Sequence, residues 1–383
     1  MINSPRARSG RAETERGSAA GEGNWTKAGR ASVEFVVTHT PEGTETIEAF
    51  FARLAESLQR DAVTVLGMMI YGYVSAHPAA QRALRATFGE VRWPITWVEG
   101  ASCDGRPLAG AQVLAVRDGI RVERVVLGGH VVGTVWDDGA ARHCLLGGLG
   151  PVAVTMDRPA QTQQVFATLD AALDLAGFAL GDVVRTWFFN DDILAWYDAF
   201  NRVRSAFYAP VKFRTGTLPA STGVAGRNPA GAATAVAAWA VRPYGEAARV
   251  VDVPSPLQCP ASAYGSAFSR AVEIDSAGVR RLLVSGTASI EPGGKTVWQG
   301  DVAKQIELTM EVVGAILRSR GMTFADVTRA NAYCKQPKFF AAFRTWQAAH
   351  GAEALPAVPI HCDICRDDLL FEIELDAVRA NLG

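Results

Sequence analysis

No run of 18 apolar residues occurs in the chain, so no segment is offered as a membrane-spanning helix. Net charge is almost absent: 38 Lys and Arg stand against 39 Asp and Glu, a balance of -1. Without a basic excess there is no reason to expect a nucleic-acid partner. There is no phosphate-binding loop and no dinucleotide fingerprint; the stretch "GGLGP" is rich in glycine but lacks the spacing either would need. Cysteine is sparse, six in 383 residues. The eye-catching C-x-x-C, Cys362 and Cys365, has no second close pair to complete a zinc site. A thioredoxin-type dithiol would need that motif at a helix N-terminus, and no helix is predicted there. The opening "MINSPRARSGRAETERGSAAGEGN" lacks the apolar middle of a secretory signal. We expect residues 1–24 to be a disordered tail and the thiols to be reduced, in the cytoplasm. Neither metal nor cofactor is expected.

What is present is a globular composition, 49% hydrophobic and 20% charged, and a repeat. "QTQQVFATLDAALDLAGFALGDVVRTWFFND" from Gln161 matches "QIELTMEVVGAILRSRGMTFADVTRANAYCK" from Gln305. Both open with a helix pattern. Val165, Leu169, Ala172 and Ala176 share one face of the first, and Ile306, Met310, Val313 and Leu317 one face of the second. Each helix is followed by a glycine suited to ending it, Gly177 or Gly321, then an Asp, Asp182 or Asp326, an apolar strand and a second amphipathic helix.

The units also close alike. From Pro94 to Val116, Pro219 to Val241 and Pro356 to Val378 the span is 22 residues each time. Each is a strand, a polar loop and a returning strand, read as a hairpin. Units open on hairpins too, with turns at Asp138-Gly139 and Ser276–Gly278. The unit is hairpin, helix, strand, helix, two strands: an α+β module in which a small mixed sheet is backed by two helices. Helices cover one face of each sheet, so three modules can bury their other faces against one another. We expect modules at 25–125 (a degenerate copy), 126–250 and 251–383, fused as a pseudo-trimer in a single compact body, with a monomer as the working state.

The stretches "LLVSGTASI", "ADVTRANAYCKQPKFFAAF" and "LPAV…FEIELDAV" resemble the Rid/YjgF superfamily, whose small α+β members assemble as trimers with sites between subunits. An imine-hydrolysing member of that family carries an Arg two residues after the Pro of the closing pair. Here those positions hold Thr96, Ser221 and Val358, which argues against imine or enamine hydrolysis. "SPLQCPASAYGSAFSRAVEI", "FRTGTLPASTGVAGRNPAG" and "CRDDLLFEIELDA" resemble the chorismatases, which are built of Rid-like modules in one chain. That resemblance implies a cofactor-free enzyme that releases pyruvate from the small molecule chorismate, with a late glutamate, matched by Glu372, as the acid. It also implies that a cysteine near that glutamate, matched by Cys365, marks the branch forming 3-hydroxybenzoate. Alternatives are a dihydroxycyclohexadiene carboxylate or 4-hydroxybenzoate as product, a Rid-type hydrolase, or a binding protein without chemistry.

Chorismate is an enol ether with two carboxylates. Cleaving it needs a proton on the enolpyruvyl methylene carbon, so the acid should be a carboxyl held neutral near pH 7 by an apolar setting. Glu372 lies between Phe371 and Ile373, and the aligned positions in the other two copies are Ala235 and Gly110: the carboxyl occurs once in three. The carboxylates call for Arg, Tyr or backbone donors. Arg214 and Arg227 bracket the second closing pair, Arg227 in a glycine-rich loop. Tyr264 and Arg270 lie in the segment that opens the third module, where the resemblance puts part of the pocket. Tyr208, Lys335 and Arg366 complete the candidates.

Overall fold

The computed structural model describes residues 16–17, 24–27 and 34–381. Residues 1–15 and 18–23 of the tail expected to be disordered lie outside the described residues. The chain first forms β1 (Arg16–Gly17), β2 (Asn24–Lys27), β3 (Glu34–His39), α1 (Ile47–Arg60), β4 (Val63–Gly72), α2 (His77–Phe88), β5 (Ile95–Val98), β6 (Ala101–Ser102) and β7 (Leu108–Arg117). Next come β8 (Glu123–Leu127), β9 (His130–Asp137), β10 (Ala141–Leu149), α3 (Arg158–Leu175), β11 (Val183–Asn190), α4 (Ile193–Tyr208), β12 (Ala220–Ala225) and β13 (Thr234–Pro243). The last set is β14 (Ala248–Val253), β15 (Ala271–Ser276), β16 (Val279–Ala288), α5 (Val302–Ser319), β17 (Val327–Cys334), α6 (Phe339–Ala349), β18 (Ala357–His361) and β19 (Phe371–Ala380).

These strands make three sheets in the orders β1-β2-β3-β7-β4-β5, β12-β11-β13-β10-β9-β8 and β14-β15-β16-β19-β17-β18-β6. The architecture is α+β, and each set repeats one plan. The helix faces read from the sequence are the buried ones: Ile306, Met310, Val313 and Leu317 on α5, and Val165, Leu169 and Ala172 on α3. The repeated Asp closes the turn after each helix, Asp182 accepting from the Ala179 N–H at 2.9 Å and Asp326 from the Thr323 N–H at 2.7 Å. No helix among the described residues is long and apolar enough to cross a membrane.

The closing strands are not hairpins. β18 runs parallel to β17, with Cys334 opposite His361, while β19 pairs antiparallel on the other side of β17, with Cys334 opposite Phe371. The same insertion puts β11 between β12 and β13, and β4 between β5 and β7. The physical reason is the helix between the paired strands. A strand, a crossover helix and a parallel strand keep the helix on the sheet face, where its apolar stripe is buried. The glycine-rich "GGLGP" also has a structural role. β10 bulges against β13 between Leu146 and Leu149, and Gly148 takes φ 64°, open to glycine without strain.

Each helix pair covers its own sheet through a separate apolar cluster. The opposite faces meet in a fourth cluster to which all three sheets contribute: Leu66 and Tyr71 from the first, Trp136, Trp187 and Trp239 from the second, Ile274, Leu283 and Tyr333 from the third. β6 adds a further tie, leaving its neighbours to pair with β18 at the edge of the third sheet. A shared core makes the three sheets one folding unit. Urea unfolding followed by far-ultraviolet circular dichroism and by tryptophan fluorescence should give coincident transitions, and Trp239→Ala should lower stability by about 3–5 kcal/mol. Three separable transitions would show the modules to be independent.

Candidate active site

A cavity of about 170 Å³ lies where the second sheet set meets the third. Helix α4 supplies Tyr197, Asn201 and Arg204, spaced i, i+4, i+7 and so on one face. Alternation along β12 brings Ser221 and Gly223 to the same side, and β16 does the same with Gly286 and Ala288. Glu372 stands on β19 opposite both Ala288 and Tyr333. Cys365, Arg366 and Leu369 come from the loop between β18 and β19, and Phe268 and Arg270 from the segment entering β15.

A bulge makes room for the carboxyl. β16 slips against β19 between Val284 and Thr287, which turns Gly286 toward Glu372. A Cβ built on Gly286 would collide with the Glu372 carboxyl, so only glycine leaves it in place. The Gly286 N–H donates to Thr222 Oγ1 at 3.1 Å, which fixes this stretch against β12.

Glu372 is 5% exposed, and among the described residues its carboxyl has no hydrogen-bond or ion-pair partner. Burial, joined by the negative charge of Glu374, pushes its pKa up to about 8 against a smaller opposing pull from Arg185. The carboxyl is therefore neutral at pH 7. Glu374, two residues along the same strand face, is the opposite case. Burial acts to raise it as well, but Arg329, Arg185, Thr222 and Asn331 outweigh that and hold it below the ordinary carboxylate range. Arg185 and Thr222 donate to one of its oxygens. Asn331 Nδ2 donates to the other at 2.6 Å and Arg329 Nη1 at 3.2 Å.

Arg204 carries the complementary charge. It is 1% exposed, and it lies 5.3 Å from the Phe200 ring centre and 5.9 Å from that of Phe268. Its Nη2 donates to Asn201 Oδ1 at 2.6 Å, while its Nε is buried without a partner. Among the described residues no carboxylate pairs with it. A buried guanidinium without a counter-ion is costly unless an anion arrives. Arg270 Nε and Nη2 donate to the Cys259 carbonyl at 3.1 and 2.9 Å, and Arg366 Nη1 to the Gly294 carbonyl at 2.8 Å. Three arginines thus border a cavity that also holds a neutral acid.

The sequence candidates divide. Glu372, Cys365, Arg270 and Arg366 are brought together here. Cys365 sits against Ala288, Ile290 and Leu369, and burial with the nearby Glu372 raises its thiol to about 12, so it is a neutral S–H. Its C-x-x-C partner Cys362 is turned away into the central core. The other candidates lie elsewhere. Arg214 is drawn to Asp182, which also binds Arg242 at 2.6 Å. Arg227 reaches out of its loop to Glu99 and ties the second set to the first. Tyr208 is buried against Phe166 and Phe213 under its own helix. Lys335 pairs with Asp367 at 2.5 Å. The side chain of Tyr264 lies outside the described residues. Ser221, one of the three positions without the Rid arginine, lines the cavity with a small hydroxyl. Sequence reasoning missed Arg204. The available signal was its position four residues after Phe200 and eight after Trp196, on the apolar stripe of α4.

A second cavity, of about 70 Å³, lies in the central core. It holds Glu34 and Asp376, each already engaged by an arginine: Arg281 is bonded to the first and Arg329 Nε to the second at 2.7 Å.

The family model described as endoribonuclease L-PSP matches residues 148–240 and 261–379, more than half of the chain. A chorismatase of Streptomyces rapamycinicus is 34% identical over 118 residues, 28% of this chain and 35% of that protein. A 3-hydroxybenzoate synthase of Streptomyces hygroscopicus is 26% identical over 240 residues, 56% of this chain and 68% of that protein. The match thus spans about a third of the first relative and two thirds of the second. A crystal structure of a chorismatase superposes with a TM-score of 0.63 at 20% identity, covering 90% of this chain and 99% of that one. The likeness in fold therefore extends over all three sheets.

Two outcomes follow from the electrostatics. Between the ordinary glutamate pKa of 4.5 and about 8 the folded chain holds a proton on Glu372 that the unfolded chain has lost. This group's contribution to stability is complete below 4.5 and is lost as pH rises through about 8. Glu372→Gln should flatten that part of the stability-versus-pH curve in urea titrations; an unchanged slope would show Glu372 ionised. Glu374→Ala should cost about 3–5 kcal/mol in the same assay, because Arg185 and Arg329 lose their shared counter-ion.

Proposed function

This chain belongs to the endoribonuclease L-PSP family, of Rid/YjgF-like fold, and from that premise we propose that it cleaves chorismate and releases pyruvate. The observation that carries the reading is the pairing, in one cavity, of a neutral Glu372 with a buried Arg204 that no carboxylate among the described residues pairs with. Chorismate brings two carboxylates to a cavity bordered by Arg204, Arg270 and Arg366. Glu372 donates its proton to the enolpyruvyl methylene carbon. The ether carbon becomes an oxocarbenium ion, a water or a ring hydroxyl adds to it, and the adduct collapses to pyruvate and a six-membered-ring carboxylate. The nearby Arg185 and the ionised Glu374 act on Glu372 in opposite senses, and burial decides the outcome in favour of the acid form. The second and third modules supply both walls of the cavity from one chain, so a monomer suffices.

For the product we favour 3-hydroxybenzoate. Cys365 lines the cavity as a neutral thiol beside Glu372, and one relative is named for that product. A Rid-type imine or enamine hydrolase is the weaker reading, because Ser221 stands in the cavity where that chemistry uses an arginine. Incubation with chorismate should release pyruvate, read by lactate dehydrogenase coupling. Glu372→Gln should lower kcat by at least about 100-fold. The wild-type rate should fall as pH rises through about 8, as the acid is lost. Absence of pyruvate would refute the reading. Chromatography of the ring product tests Cys365: a dihydroxycyclohexadiene carboxylate as sole product would remove the assignment to 3-hydroxybenzoate.

A further inference from the structure

Away from the cavity, the sheet junction brings two thiols together from distant parts of the chain. β6 pairs with the edge strand β18, Ala101 opposite His361, and β18 pairs with β17, His361 opposite Cys334. Cys103, the residue after β6, then turns onto the third sheet and packs against the apolar cluster that contains Cys334. The two thiols lie close enough that each shifts the ionisation of the other. Cys103 is half-buried, and Cys334 is fully buried at the end of its strand.

We propose that Cys103 and Cys334 form an oxidant-reactive thiol pair whose target is a hydroperoxide and whose product is a disulfide joining the first sheet set to the third. The inference is independent of the reading of the cavity. The pair is asymmetric in the sense such chemistry needs. The neighbouring Cys334 thiol holds the outer thiol, Cys103, below its ordinary range against burial and the charge of Asp104. That same contact, with burial, holds the inner thiol far above its range. The accessible sulfur is therefore the nucleophile and the inner one the resolving group. The Cys103 thiolate attacks one oxygen of hydrogen peroxide; the S–O bond forms, the O–O bond breaks, and hydroxide leaves to take up a proton as water. The Cys334 sulfur then attacks the sulfenic sulfur. The S–S bond forms, the S–O bond breaks, and the thiol proton leaves with the hydroxyl as a second water. Two thiols are oxidised and one peroxide is reduced.

The test uses the full chain, treated with hydrogen peroxide, quenched and mapped as non-reduced peptides, with thiols counted after denaturation. The expected result is a peptide linked through Cys103 and Cys334 and a fall from six titratable thiols to four. Cys103→Ser should abolish the link and Cys259→Ser should leave it. In the untreated chain, limiting iodoacetamide should label Cys103 before the other five. Retention of all six thiols, a link from Cys103 to Cys362, or earlier labelling of Cys259 or Cys365 would each overturn the proposal.

Discussion

A single buried carboxylate governs much of this structure. Glu374 is fully buried, and its four partners reach it from two sheet sets: Arg185 and Thr222 from the second, Arg329 and Asn331 from the third. The first set joins through those partners. Gln112 Oε1 accepts from Arg329 at 2.9 Å, and the Tyr71 hydroxyl accepts from Asn331 at 2.8 Å. A charge in that position is tolerable only while the donors surround it, so the three sheets have to meet in this one arrangement. The apolar central core supplies the bulk of the attraction between sheets, and the ionic cluster fixes which faces meet.

The same constraint shapes the cavity. Strand alternation puts Glu372 on the side of β19 that Glu374 occupies, one step closer to α4 and its arginine. The donors are used on Glu374, and Glu372 is left buried without any among the described residues. Two glutamates two residues apart thus take opposite protonation states, one neutral and one ionised, by the difference in the charges and hydrogen-bond donors that surround them. Acid chemistry at neutral pH then requires no more than a substrate whose carboxylates can meet Arg204 and its neighbours.

The sequence made the repeat and its helices legible because helix periodicity is local: the buried faces of α3 and α5 could be counted residue by residue. Strand order was not legible. A strand, a loop and a returning strand read alike whether or not a third strand slips between them, and nothing in the alternation of β18 and β19 encodes that β17 lies in the gap. Glu372 stood out because its two repeat partners are Gly110 and Ala235. At Gly110 the reason is visible: a Cβ there would lie 2.7 Å from the His39 carbonyl. The arginines were the least legible part. Arg214 and Arg227 sat in suggestive loops, but their counter-ions Asp182 and Glu99 are 32 and 128 residues away, and only the fold brings them close. Arg204 went the other way, a charge on an apolar helix stripe that becomes meaningful once β16 and β19 close over it.

The central claim is that Glu372 carries a proton at pH 7 because burial and Glu374 keep it from ionising. Infrared difference spectroscopy of the wild type against Glu372→Gln at pH 7 tests this without substrate. The account predicts a carboxylic-acid carbonyl stretch in the wild type that is missing from the variant and disappears as pH is raised past about 8. A difference spectrum containing only carboxylate bands at pH 7 would contradict it.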